Sequence, residues 1–244
     1  MLDGTGSGSD SVIIAGLNWV YLNAASVTPP IRVVNLSLGR SKTSTDTDTS
    51  PLRVAVKNLY QQGIVVVAAA GNTASQEVKD MVPAGFPEVL AVASTTAILG
   101  SNSGCRFFTS KIEPDTASYF TTDGNFDSIS GIGVTISAPG EDQENVSKSC
   151  FVNSVGILSL KLGGGTTRMS GTSMASPHVA GIVARMMQLT SFALNNTGVE
   201  AIRTAILANA FQVHDQNNQP TLPKDSPTNG YTFDGEREGI SKAP

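Results

Sequence analysis

Residues 169–181 read Met-Ser-Gly-Thr-Ser-Met-Ala-Ser-Pro-His-Val-Ala-Gly, and they place a serine where a helix begins. Val179, Ile182, Val183 and Met186 recur at helical spacing after Ser173, so its hydroxyl falls at a helix N-terminus, where free amides attract negative charge. Small residues around it keep the approach open. Pro177 is compatible with the helix if it lies in the first turn, where an N–H has no intrahelical partner. A Gly-Thr-Ser triplet alone would serve equally as an ordinary N-cap.

The run Ile64-Val65-Val66-Val67-Ala68-Ala69-Ala70 is continuously apolar and stops on Gly71-Asn72, which suits a strand buried on both faces of a parallel sheet. Asn72 then sits at the carboxyl end of a strand, where ligands of open α/β sheets bind. Read alone, Gly71-Asn72 is a turn. Ile31–Gly39 is a second strand with a glycine terminator, and by itself a core strand. Helical spacing recurs at Ile13, Leu17 and Val20 and at Leu52, Val56, Leu59 and Tyr60, so strands and helices alternate. Further strands are expected at Val89–Ser94 and Ile132–Ser137, the latter followed by Ala138-Pro139-Gly140, and a last helix at Gly198–Phe211. The remainder, Gln212–Pro244, is polar and reads as an extended or loosely packed tail.

Gly171-Thr172-Ser173-Met174-Ala175-Ser176-Pro177-His178-Val179-Ala180-Gly181 resembles the nucleophile segment of the subtilisin-like serine proteases, eleven consecutive residues in the family's order. The resemblance runs from about Leu2 to Phe211, with a divergent section between Leu99 and Thr167. It implies an α/β, three-layer fold with a mostly parallel sheet, N-terminally truncated, with residues 1–211 a partial peptidase domain and 212–244 a tail. It further implies Ser173 as nucleophile and Asn72 as side-chain donor to the oxyanion, a donor whose loss costs roughly 3–4 kcal/mol of transition-state stabilisation. By the same resemblance an extended polypeptide substrate pairs with Ser37-Leu38-Gly39, while Ala70-Gly71-Asn72 shapes the pocket for the residue before the scissile bond.

Such an enzyme also needs a histidine base and an aspartate to orient it. The chain has two histidines. His178 follows Ser173 by five residues, which leaves the two side chains roughly 140° apart around the helix. It reads as a hydrogen-bonded packing residue. His214 stands in the polar tail beside Asp215. The family's Asp-Thr-Gly and His-Gly-Thr-His segments do not occur, and Asp3-Gly4-Thr5 reads as a loop. The polypeptide is therefore expected to be inactive by itself. Two other classes stay open: a pseudoenzyme or peptide-binding remnant, and an α/β-hydrolase-type esterase, although Ala175 replaces the second glycine of Gly-x-Ser-x-Gly.

Composition narrows the rest. With 244 residues, 40% of them hydrophobic, the chain suffices for one sizeable core. A net charge of −4 gives no electrostatic footprint for nucleic acid or an anionic membrane. The longest apolar run, Ile64–Ala70, is far below a membrane span, and the N-terminus lacks the pattern of a signal peptide. The family's habit points to a secreted, monomeric protein. Cys105 and Cys150 would pair in an oxidising compartment and stay free thiols in a reducing one. No Cys/His cluster has metal spacing and no cofactor is required. The backbone around Ala84, Phe86 and Val89 resembles a region where some family members hold a weak calcium or sodium ion.

Overall fold

A strand with apolar side chains on both faces must be covered twice, and that requirement organises the molecule. The computed structural model describes residues 2–210, 213–214, 220–221 and 238–244. Its strands, in chain order, are β1 (Val33–Leu36), β2 (Arg40–Ser41), β3 (Val65–Ala69), β4 (Met81–Val82), β5 (Val89–Thr96), β6 (Val134–Glu141), β7 (Gln143–Val146), β8 (Val152–Val155), β9 (Ile157–Leu160), β10 (Thr166–Met169), β11 (Val213–His214) and β12 (Pro220–Thr221). The helices are α1 (Asp10–Asn23), α2 (Pro51–Gln61), α3 (Thr172–Leu189) and α4 (Asn196–Ala208). The central sheet is parallel, in the order β1-β3-β5-β6.

Alternation along β3 divides the core. Val66 and Ala68 pack with Ile13, Leu17, Leu52, Val56 and Leu59 of α1 and α2, whereas Val65 and Val67 pack with Val179, Val183 and Ile202 of α3 and α4. Each fully buried valine contributes about 1.5–3 kcal/mol of apolar transfer. The expected α/β layering, helix over parallel sheet over helix, is what the chain forms.

Several boundaries differ from expectation for local reasons. Ile132 is drawn into a turn, where its carbonyl accepts from Asp127 N–H (2.8 Å), so β6 begins only at Val134. It then runs through Ala138-Pro139-Gly140, because Pro139 lies past the single bridge that Ser137 makes on the outer edge of β6, so its missing N–H interrupts no ladder there. α4 starts at Asn196, capped by the Asn195 side chain accepting from Gly198 N–H (3.2 Å), and ends at Ala208; Phe211 lies outside the described residues.

The end of the polar tail is also better anchored than its composition suggests. Ser137 N–H donates to Gly239 O (3.0 Å) and Ser241 N–H to Ser137 O (2.8 Å), extending the sheet beyond β6, with Ile240 buried. Most of the intervening stretch, and the side chain of His214, lie outside the described residues. The divergent section forms two antiparallel pairs, β7–β8 and β9–β10. Cys105 and Cys150 are joined as a disulfide over a small satellite core with Ile112 and Val146.

Candidate active site

Because β1 and β3 are adjacent and parallel, with Leu36 opposite Ala68, the segments after their carboxyl ends, Ser37–Gly39 and Ala70–Asn72, emerge side by side. The start of α3 closes the same end of the sheet. Ser37–Gly39, Gly71, Asn72 and Ser173 all line one cavity of about 580 Å³. The Ala70 side chain does not join them, since it is fully buried on the α1–α2 face; Ala69 lines the cavity instead. Ala70 thus departs from the expected pocket set, as the period-2 alternation of a strand end requires.

Asn72 is oriented by a residue that motif reading passes over. Thr172 N–H donates to Asn72 Oδ1 (2.9 Å), and so does the Thr172 hydroxyl (2.9 Å). A backbone N–H can only donate, so this contact fixes which end of the amide is oxygen and leaves the Asn72 NH₂ group free. The Thr172 hydroxyl also accepts from Gly71 N–H (3.2 Å), tying the β3 turn to the helix start. Gly71 itself has φ +127°, and a Cβ there would lie 2.6 Å from Thr122 Oγ1, so no other residue fits this turn without displacement.

Ser173 and Ser37 hold one another. Ser173 Oγ donates to Ser37 O (3.3 Å), while Ser37 Oγ donates to Ser173 O (2.6 Å) and meets Ser176 Oγ (3.1 Å). The second bond explains how the helix tolerates its proline. Pro177 is the sixth residue of α3, not a first-turn residue as expected, so it withholds the N–H that Ser173 O would normally receive four residues on. Ser37 Oγ supplies that donor from the end of β1. Ser37→Ala is therefore expected to cost about 1–2 kcal/mol in denaturant unfolding, and Pro177→Ala to reduce that cost in a double-mutant cycle by restoring a backbone donor.

His178 is hydrogen-bonded as expected, Nδ1 to Met174 O (2.8 Å), but it is exposed rather than packed, and its ring is engaged on its own helix. No described histidine bonds to Ser173.

At the cavity wall Arg40 makes two bonds to Asp46 (2.6 and 2.8 Å) and also reaches Asp10 at the start of α1. The Arg40 hydrogen bonds hold the buried Asp46 carboxyl far below the usual carboxylate range. This clamp fixes the end of the Ser37–Gly39 segment against α1, a role that no motif announces.

Two of the carbonyls around the expected weak cation site, those of Phe86 and Val89, accept hydrogen bonds within the protein. Phe86 O accepts from Val89 N–H (3.0 Å), and the buried Arg203 guanidinium donates to Pro87 O (2.7 Å) and Val89 O (3.4 Å). The Arg203 guanidinium opposes a cation at Pro87 O and Val89 O, the two oxygens it reaches. Among the described residues no group of three or more His, Cys, Asp or Glu side chains could hold one.

A parallel sheet between helix layers, with a helix-start serine and an amide-presenting asparagine at the carboxyl ends of its strands, defines a three-layer α/β scaffold with its polar residues gathered at one end of the sheet. The chain belongs to the subtilase family, whose sequence signature matches residues 1–232. It is 36% identical over 190 residues to a subtilisin-like protease of Coccidioides posadasii, covering 78% of this chain and 37% of that one. It is 33% identical over 209 residues to the subtilisin-like serine protease AsES of Sarocladium strictum, covering 85% and 42%. The chain thus spans about two fifths of the length of these relatives. Among solved structures it resembles a cold-adapted subtilisin-like serine proteinase, at 27% identity and a TM-score of 0.59, covering 92% of this chain and 63% of that one. A psychrophilic protease shares the fold, with a TM-score of 0.67 at 24% identity, covering 100% and 67%.

Proposed function

We propose that this chain carries the nucleophile, the oxyanion donor and the peptide-binding strand of a serine endopeptidase site, and that it does not cleave peptides by itself. The observation that carries the reading is the Thr172 lock, which leaves the Asn72 NH₂ group beside the Ser173 loop, at the end of the strand proposed to bind peptide. Ser173 attacks the scissile carbonyl; the Asn72 amide and the Ser173 backbone N–H, free at the helix start, receive the oxyanion. Ser37–Gly39 pairs with the extended substrate, and Ala69 and Gly71 form part of the adjoining wall. General-base catalysis falls to groups other than this chain's two histidines.

A second reading, a peptide-binding module without chemistry, is favoured by one contact: the Ser173 hydroxyl rests on Ser37 O, with no described base bonded to it. A secreted setting is supported by the Cys105–Cys150 disulfide. Among the described residues no helix is long and apolar enough to cross a membrane.

Incubation of the purified chain with a fluorogenic peptide is expected to give no turnover, while an unlabelled extended peptide perturbs the backbone amide signals of Ser37–Gly39. Turnover that disappears in Ser173→Ala would overturn the inactivity. Unperturbed amides at saturating peptide would overturn the binding strand.

A further inference from the structure

Directly behind the Ser173 loop are two carboxyl groups that no described ion pair neutralises. Glu141 ends β6 and Glu144 lies in β7, and both are fully buried. Glu144 Oε1 accepts from Tyr119 N–H (2.7 Å), and Glu141 Oε2 accepts from the Ser154 hydroxyl of β8. The remaining oxygens, Glu141 Oε1 and Glu144 Oε2, receive no donor from the other described residues. Only two residues separate them in the chain, both are enclosed in the same interior between β6, β7 and the Tyr119 loop, and Glu141 adds to burial in pushing the Glu144 carboxyl up. Two carboxylates this close cannot both ionise in a low-dielectric interior, whereas one proton between them satisfies both free oxygens.

The surrounding groups do not change that balance. Asp142, between them in sequence, is paired with Arg168 of β10 (2.8 Å). Asp115, on the loop that carries Tyr119, has its own carboxyl pushed up by burial and brings no cation to the pair. The Tyr119 phenol is itself pushed up, first by burial and then by the two glutamates. Burial, reinforced by Glu141, pushes Glu144 up to about 9.

The pair is connected to the site by a chain of hydroxyls. Ser154 Oγ, donating to Glu141, is 2.5 Å from Ser170 Oγ, and Ser170 precedes Ser173 by three residues. A parallel backbone tie runs beside it, Gly171 N–H to Gly140 O (3.0 Å). We propose that Glu141 and Glu144 are positioning residues of the site: sharing one proton, they hold the Ser154–Ser170 relay and thereby the loop that presents Ser173. Departure of the proton places two charges in the buried pocket and loosens that loop. The role in catalysis rests on the reading of Ser173 as nucleophile; the mechanical link does not.

The sign follows from the two states. Folded, the pair keeps its proton to about pH 9; unfolded, the carboxyl releases it near 4.5. The stabilisation is full below 4.5 and is lost as pH rises towards 9.

Hydrogen exchange of the 170–174 amides, corrected for intrinsic base catalysis, tests this on the chain as it exists. Protection is expected to fall on the order of 10-fold between pH 7 and 9.5. It should stay flat in Glu144→Gln, which carries a neutral donor at every pH. Ser154→Ala, which cuts the relay and leaves the acid pair intact, should lower protection of these amides at both pH values. Protection independent of pH in the unaltered chain would overturn the proposal. So would an equal loss in β3 and α4, which would make the pair a global stability element only. Because no peptide is used, failure of peptide binding leaves this result intact.

Discussion

Gly140→Ala is expected to destabilise the chain by about 3 kcal/mol or more, an overpacking cost at the upper end of the usual range. A Cβ at this position would lie 2.1 Å from Ser94 Oγ and 2.6 Å from Gly171 O. Ser94 is fully buried and its hydroxyl is bonded to Ser118 Oγ (2.7 Å), so it cannot yield without breaking that bond. The other neighbour is backbone, and it belongs to the Ser173 loop. Gly140 O also accepts from Gly171 N–H, so any outward shift of residue 140 draws on the same loop. Guanidinium unfolding should show a lower midpoint with an unchanged slope. An alanine variant of unaltered midpoint would mean that the loop stands off β6 by more than the described distance.

The second large effect concerns the disulfide. The bridge closes a loop with a sequence separation of 45 residues, for which loop-closure entropy gives about 3–4 kcal/mol. Cys105 is buried in a satellite core whose only other fully enclosed members are Ile112 and Val146, with Phe108 and Val152 partly buried against it, so packing there is small beside the constraint. Replacing both cysteines by serine should lower the melting temperature by roughly 10 °C, given about 2–4 °C per kcal/mol for a chain of this size. The early loss is expected in the 100–150 section, because the parallel sheet has its own larger core. A melting temperature unchanged by reduction would show that the β7–β8 region holds its fold without the bridge.

What can be read from the sequence follows from the range over which each feature is encoded. β3 is legible because a strand covered on both sides must be apolar at every position, and Val65–Ala69 is. Ser173 and Asn72 are legible through contiguous motifs. The Thr172 lock is not, because it joins residues 100 positions apart and appears in sequence as one threonine of a triplet. Pro177 lies one turn deeper in its helix than the sequence suggests, and the need for Ser37 Oγ is hidden with it. Ala69 and Ala70 look interchangeable in a run of alanines, and only the strand's alternation decides which of them faces the cavity. Glu141 and Glu144 are the most deceptive. In the sequence Glu-Asp-Gln-Glu they resemble a solvated acidic turn, and only the packing of β6, β7 and the Tyr119 loop encloses them. Ile240 likewise looks like a lone apolar residue in a polar stretch until its partner, Ser137, is known.

The bond from Ser37 to the carbonyl that Pro177 leaves without a donor has a consequence for how such chains diverge. Neither residue is required by its own local structure: the strand end would accept alanine in place of Ser37, and the helix would accept almost anything but proline in place of Pro177. They form a matched pair across 140 positions. A lineage that loses the proline first frees the hydroxyl to drift, whereas one that loses the hydroxyl first leaves a carbonyl without a donor. The order of two substitutions is thereby constrained. A library randomised at both positions should return Ser37→Ala together with an unchanged Pro177 less often than the single-site frequencies predict.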